Sequence, residues 1–225
     1  EQYISCDGLF FFLSRRLHGS NIVRIGNDKT IASAMGNIIA DLHIAFKKCE
    51  ESDVFWNNSL LDEMNGWIKN NFETNGWKYI SKEEYEKNVS QLATVYDNLP
   101  VQLIHRDVHF GNFLFLDGKF SGYIDFDLSQ RNIRIFDLCY FLLGLLSEEE
   151  KFEITDELWL TFVKELFAGY EQKLTLTAVP YVMECIELLF VSYFQSINDV
   201  RCAEDAYKIF QFITKQEKKI WRNIL

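Results

Sequence analysis

The residues best equipped for chemistry lie near the middle of the chain, in the run Ile104-His105-Arg106-Asp107-Val108-His109-Phe110-Gly111-Asn112, with a second acidic run at Tyr123-Ile124-Asp125-Phe126-Asp127. Between them stand two apolar runs separated by Asp117-Gly118, the strongest short hairpin signal, because both turn residues tolerate positive φ. With Asp117 and Gly118 as the turn, Asn112 falls opposite Tyr123. Asp125, two residues further on, then projects from the same face as Asn112. Diagonal neighbours of this kind lie roughly 7–8 Å apart at Cα. One cation with oxygen ligands at about 2.0–2.1 Å could therefore bridge an Asn amide oxygen and an Asp carboxylate. Asp107, on the preceding loop, could face the same point.

Such a set contains one candidate base, Asp107, and two hard-metal ligands, Asn112 and Asp125. Magnesium favours sparse oxygen sites and completes its shell with water and phosphate. Phosphoryl transfer needs this arrangement, since it depends on positioning and charge neutralisation rather than on covalent help from the protein. Asp107 would orient the attacking hydroxyl and accept its proton, while Asn112 and Asp125 would hold Mg²⁺ against nucleotide phosphates. The plain alternative is that all three are loop caps and turn residues, places that Asp and Asn favour anyway.

These residues have to be positioned by something. Leu9–Leu17 is a short apolar run closed by basic residues and His18-Gly19-Ser20, and is expected to be a buried strand entering a turn. From Thr30 to Lys48 the spacing of Ile31, Met35, Ile38, Ile39, Leu42 and Phe46 predicts a helix with one apolar stripe. A short helix is expected around Leu60–Asn70. Ser81 with Glu84 forms a capping box for a further helix towards Tyr96, stopped at Asn98-Leu99-Pro100. Val101–Ile104 reads as a strand. After Asp127 the pattern is helical to the end, over about Ile133–Leu146, Asp156–Tyr170, Pro180–Asn198 and Ala203–Asn223. The expectation is an α+β domain, mainly helical with a small β-hairpin.

Composition narrows the classes. The 225 residues carry a net charge of −10, which disfavours nucleic acid and anionic membrane as partners because both are polyanions. The five cysteines are scattered without C-x-x-C spacing, the usage of a reducing, cytoplasmic compartment. No uninterrupted apolar run reaches the ~18 residues that a membrane span needs; Glu184, Glu187 and Glu148-Glu149-Glu150 break the nearest ones.

His105-x-Asp107-x-x-x-x-Asn112 followed by Tyr123-Ile124-Asp125-Phe126-Asp127 resembles the catalytic-loop and metal-loop pair of the kinase superfamily. Within it, HRDVHFGN, GYIDFD, FDLCYFL and IIADLH (Ile38–His43) resemble the aminoglycoside phosphotransferase and choline kinase-like group, which includes type II homoserine kinases. His109 and Gly111 match that group's pattern, whereas Arg106 and Phe110 depart from it. A protein kinase is a poorer match, because Asp125 is followed by Phe126-Asp127 and no A-P-E element appears.

The resemblance implies a kinase-like C-terminal lobe at 21–225 and an ATP- and Mg²⁺-dependent phosphotransferase acting on a hydroxyl of a small molecule: an aminoglycoside, a choline- or homoserine-type amino alcohol, or a sugar. It implies that His105 braces the loop and that Asp137 anchors it. Asp127 either supports the metal or caps a turn, and His109 either approaches the phosphate or braces. No glycine-rich loop or strand lysine precedes residue 105, so the N-terminal lobe is expected to be largely absent. Residues 1–20 would supply its last strand and the hinge, with the backbone of Leu13 and Ser14 against adenine.

Glu184, Glu187 and Tyr193 could line an acceptor pocket through charge and cation–π contacts, although solvated glutamates on a helix face are commoner. His18 and His43 read as structural histidines. The rival readings are a catalytically silent kinase-like binding protein and a metal-dependent phosphohydrolase. Nothing in the residues decides the oligomeric state.

Overall fold

The computed structural model describes residues 3–12, 15–22, 30–51, 54–148 and 153–225. Leu13 and Ser14, expected at the hinge, lie outside them. The first element is a hairpin, β1 (Tyr3–Cys6) and β2 (Leu9–Phe12), folded about Asp7-Gly8 with φ of 52° and 77°. The sequence reading placed a single strand at Leu9–Leu17. That strand ends at Phe12 and has an upstream partner, announced by the same Asp-Gly turn chemistry as the later hairpin. Further on, Ser20 pairs with Phe115 through two backbone hydrogen bonds of 2.9 Å.

Helix α1 (Thr30–Glu50) buries the expected stripe, including Met35, Ile39, Leu42 and Phe46. Next come α2 (Leu60–Glu63), a π-turn at Met64–Ile68 with Gly66 off helical geometry, and α3 (Lys69–Asn75). Helix α4 (Lys82–Tyr96) starts as its capping box requires, with the Ser81 hydroxyl accepting from the Glu84 N–H at 3.1 Å.

Strand β3 (Val101–Ile104) pairs antiparallel with β6 (Gln130–Ile133). The sequence reading expected no strand after Asp127. Gln-Arg-Asn-Ile shows no apolar alternation; it becomes a strand because tertiary pairing overrides local preference. Strands β4 (Phe113–Leu116) and β5 (Lys119–Tyr123) form the hairpin about Asp117-Gly118, both at positive φ. Its register matches expectation only next to the turn, at Phe115↔Phe120 and Leu116↔Lys119. A bulge at Ser121 then shifts the pairing by one, to Leu114↔Gly122 and Phe113↔Tyr123. The Ser121 hydroxyl donates to the His18 carbonyl at 2.7 Å, tying the bulge to the N-terminal segment. Asn112 therefore lies opposite Ile124 rather than Tyr123.

The remaining helices are α5 (Ile135–Ser147), α6 (Asp156–Gly169), α7 (Val179–Ser196) and α8 (Val200–Ile224). A 3₁₀ turn at Leu176–Ala178 leads into α7. The stretch Leu176–Ser196 is long and apolar enough to cross a membrane, at a mean hydropathy of 1.4, but 67% of it is buried inside the fold as a central core helix. Helices α1 and α6 cross in near backbone contact. A Cβ added at Gly36 would lie 2.2 Å from the Leu166 carbonyl oxygen, and one at Gly169 would lie 2.1 Å from that of Ser33. Only residues without a side chain permit that approach.

Candidate active site

The loop between β3 and β4 is built around one buried carboxylate. Asp137, in the first turn of α5 and 0% exposed, accepts the backbone N–H of His105 at 2.9 Å and that of Arg106 at 2.8 Å. His43 of α1 donates to it through Nε2 at 2.9 Å, which leaves Nδ1 to accept from the Tyr170 hydroxyl at 2.8 Å. Three segments distant in sequence thus meet on one carboxylate, with Tyr170 joined to them through His43, and each partner of the buried group is a hydrogen-bond donor, as burial requires.

Arg106 sits at φ 70°, a conformation that favours glycine. Its guanidinium holds Glu63 at 2.6 and 2.8 Å and lies 5.8 Å from the centre of the Phe136 ring. The residue that departs from the family pattern is therefore fastened by an ion pair of its own.

Asp107 follows, with both carboxylate oxygens directed. The Tyr140 hydroxyl donates to Oδ1 at 2.8 Å, and the Asn112 amide donates to Oδ2 and to the Asp107 carbonyl, each at 2.9 Å. His109 Nε2 stands 3.6 Å from Oδ2. The His109 ring foremost, aided by Tyr140 and Asn112 and opposed by burial, brings the Asp107 pKa down to about 2. His109 Nδ1 accepts the Gly111 N–H at 3.1 Å, so the histidine caps the Phe110–Asn112 turn with one nitrogen and faces Asp107 with the other. A Cβ on Gly111 would fall 2.5 Å from the imidazole, which is why this position is a glycine.

The second loop is tied to the first through the peptide of Ile124. Its N–H donates to the Asn112 carbonyl at 3.1 Å, and its carbonyl accepts from His105 Nε2 at 3.1 Å. His105 is 1% exposed, packs against the Phe126 ring with centroids 5.0 Å apart, and leaves Nδ1 buried without a partner. Asp125 follows at φ 64°, and both it and Asp127 are exposed. Asn112 is thus linked to the Asp125 loop through this clamp, and the shifted register sets it opposite Ile124 instead of on the face that the simple hairpin predicted for Asp125.

Because the Asn112 amide nitrogen is committed to Asp107, its oxygen is the end free for a cation. Among the described residues no group of three or more His, Cys, Asp or Glu could hold a metal. The Asn112–Asp125 pair fits a hard divalent ion that draws its other ligands from water and phosphate. Those two residues would hold it.

A cleft of about 390 Å³ opens from Asp107 and His109 and runs past Tyr140 to Glu187, Phe190 and Phe194 of α7, with α8 supplying Cys202 and Asp205. Glu187 is only 3% exposed, and burial pushes its carboxyl well above the usual range. Glu184 is equally buried but faces Thr214 and Glu217 between α7 and α8, away from the cleft, and burial raises it to about 7. Tyr193 is 47% exposed and lies against Phe194 outside the cleft wall. Neither glutamate is on a solvated face, because α5, α8 and α4 cover α7 on several sides.

Sequence reasoning did not single out Tyr140, Phe190 or Asn21. Tyr140 was legible, three residues after Asp137 on one helix face. Asn21 was not: its amide reaches across the fold to the carbonyls of Gly111 and Phe113, at 2.5 and 3.1 Å.

Known proteins show the same architecture. The model of the phosphotransferase enzyme family matches residues 5–181. The chain belongs to that family, and its fold is that of a kinase-like lobe. An amicoumacin kinase, solved with AMP-PNP, Ca²⁺ and amicoumacin, is similar with a TM-score of 0.58 and 18% identity over 84% of this chain and 58% of its own. A choline kinase from Cryptosporidium parvum Iowa II is similar at 0.59 and 15%, covering 92% and 71%. An aminoglycoside 2′-phosphotransferase-IIIa in complex with GDP reaches 0.62 and 15%, covering 96% and 74%. The chain thus spans little more than half the length of the first of these. No curated protein matches.

Proposed function

We propose that the protein transfers the γ-phosphate of ATP to a hydroxyl of a small molecule that carries an amine. The observation that carries this reading is the placement of Asp107: its carboxylate, aimed by Tyr140 and Asn112, ends a cleft large enough for a small acceptor. The acceptor oxygen attacks the γ-phosphorus, the bond to the ADP oxygen breaks, and the hydroxyl proton passes to Asp107. A carboxylate with a pKa of about 2 is a weak base, poorly suited to early proton abstraction. It suits a loose transition state, in which the nucleophile is positioned first and its proton leaves late.

Asn112 and Asp125 would hold Mg²⁺, which when bound neutralises charge on the β- and γ-phosphates. His109 holds the turn that carries Asn112 and faces Asp107, a bracing geometry. The aromatic and acidic wall favours an amino alcohol or aminoglycoside over a plain sugar. The kinship of fold with choline and aminoglycoside enzymes points the same way.

The direct test is a Mg·ATP turnover screen over amino alcohols, aminoglycosides and neutral sugars. Asp107→Asn should lower turnover by roughly 10²–10⁴-fold while leaving nucleotide affinity and Tm near those of the parent. Activity retained in that variant removes Asp107 from the reaction.

A further inference from the structure

Glu187 differs from every other carboxyl at the cleft. It is 3% exposed, lines the same cavity as Asp107, and makes no hydrogen bond or ion pair with any described residue. Its titratable surroundings are Tyr140 and Glu148 from α5, Asp107 and His109 from the catalytic loop, and Cys202 and Asp205 from α8. On its other sides α7 meets α3 and α4 at different turns, where Glu184 rather than Glu187 faces Glu84 and Lys87. Among the described residues the basic side chains around the cleft are turned to other carboxylates, His109 to Asp107, Arg106 to Glu63 and Arg201 to Asp205. The rings of Tyr140, Phe190 and Phe194 line the space beside it, with Tyr140–Phe190 centroids 5.9 Å apart and Phe190–Phe194 centroids 6.1 Å apart.

A buried carboxyl without a donor is costly to ionise and stays protonated instead. Among the described residues no counter-charge stands against Glu187 to permit ionisation, so a ligand would bring it. Aromatic faces beside it would stabilise that charge.

We propose that Glu187 is a proton-exchanging recognition group: neutral in the free protein, it releases its proton when the amine of the acceptor docks between Tyr140, Phe190 and Phe194, so that each acceptor bound expels one proton. The exchange balances: carboxylic acid plus bound ammonium becomes a carboxylate–ammonium pair, with one proton passed to water. It rests on the cleft being the acceptor site, as set out above. Burial holds the Glu187 carboxyl far above its ordinary range, in keeping with that scheme. The sign follows: affinity for a cation of fixed charge rises with pH until Glu187 ionises in the free protein, and is level above that point. A neutral hydroxyl compound, by contrast, gains nothing from the ionised form.

Tetramethylammonium and choline keep their charge at every pH, and the carbon isostere of choline, with carbon in place of the cationic nitrogen, has none. Calorimetry of the full chain in buffers of different ionisation enthalpy measures protons released on binding. Release of close to one proton is expected for the two cations and none for the isostere, with cation affinity rising about tenfold per pH unit below the Glu187 transition. Glu187→Gln should weaken cation binding tenfold or more and abolish both the proton release and the pH dependence. Mg·nucleotide binding in that variant reports that it is folded.

Infrared difference spectra supply a second readout: a protonated-carboxyl band lost on adding choline and absent from Glu187→Gln. The idea is overturned if neither cation binds, if binding is level with pH, or if proton release survives in Glu187→Gln. Cation binding with proton release but no phosphotransfer to any acceptor would retain this role and refute the proposed reaction. Turnover of neutral alcohols alone, with no inhibition by the cations, would do the reverse.

Discussion

The two loops of the site are built in opposite ways. In the catalytic loop, residues 104–112, the backbone and side chains are held from several directions: Asp137 grips two peptide N–H groups, Asn21 grips the Phe110 and Gly111 carbonyls, and Tyr140, Asn112 and His109 surround Asp107. The acidic loop, residues 124–128, is hydrogen-bonded to the catalytic loop at Ile124 and touched through the Phe126 ring, and every residue in it is exposed. The protein thus fixes Asp107, the group that would meet the acceptor in the proposed reaction. The other loop presents its acidic groups to solvent, where a cation and phosphates would complete their contacts. In the proposed reaction preorganisation is concentrated where orientation would matter most, and the Asp125 loop would take its remaining contacts from its ligands.

This contrast can be broken from either side. Asp137→Ala removes the common anchor and strands two buried N–H groups and His43, so it should cost about 3–5 kcal/mol of stability. That is a large share of a typical 5–15 kcal/mol total, and thermal unfolding should show a Tm many degrees lower. An unchanged Tm would mean the loop is not held as described.

Asp125→Asn should do the opposite. Asparagine tolerates the left-handed backbone at this position, so the unfolding free energy should stay within about 0.5 kcal/mol of the parent. Divalent-dependent nucleotide affinity should fall by one to two orders of magnitude, about 1.4–2.7 kcal/mol. Nucleotide titration with and without Mg²⁺ reads this directly; unchanged affinity would remove Asp125 as a ligand.

Tyr140→Phe sharpens the comparison with the smallest change. It deletes one donor to Asp107 and should cost about 1–2 kcal/mol in kcat, with acceptor KM little moved. Losing a donor to the ionised form also raises the Asp107 pKa from about 2. Stability that depends on ionised Asp107 is present above the unfolded value and is lost as pH falls through the folded one. Acid unfolding of Tyr140→Phe should therefore begin at slightly higher pH than in the parent.

The contrast also explains what the sequence could disclose. Features set by local chemistry were legible: the Asp117-Gly118 turn, the Ser81–Glu84 box, the α1 stripe and the loop that carries Asp107. Asn112 and Asp125 were expected on one face of a regular hairpin, yet Ser121 bulges, the pairing shifts by one, and the link between the two loops runs through the Ile124 peptide. A bulge depends on what the strand packs against, here the His18 carbonyl about a hundred residues away in sequence. Strand β6 was hidden for the same reason, since polar Gln130 and Asn132 become strand only beside β3. Glu187 shows the reverse error. A glutamate three residues from another on a helix invites a solvated reading, but α7 is apolar nearly all round and central in the bundle.

The crossing of α1 and α6 gives this architecture a pivot outside the cleft. Tyr170 directly follows Gly169, and His43 lies two turns beyond Gly36 on the neighbouring helix; their side chains meet and continue through Asp137 to the backbone of His105 and Arg106. A single methyl group at either glycine would wedge the two helices apart and carry that displacement, contact by contact, to the aim of Asp107. The aim of the Asp107 loop is therefore joined, through four hydrogen bonds, to how closely two bare backbones approach at this crossing.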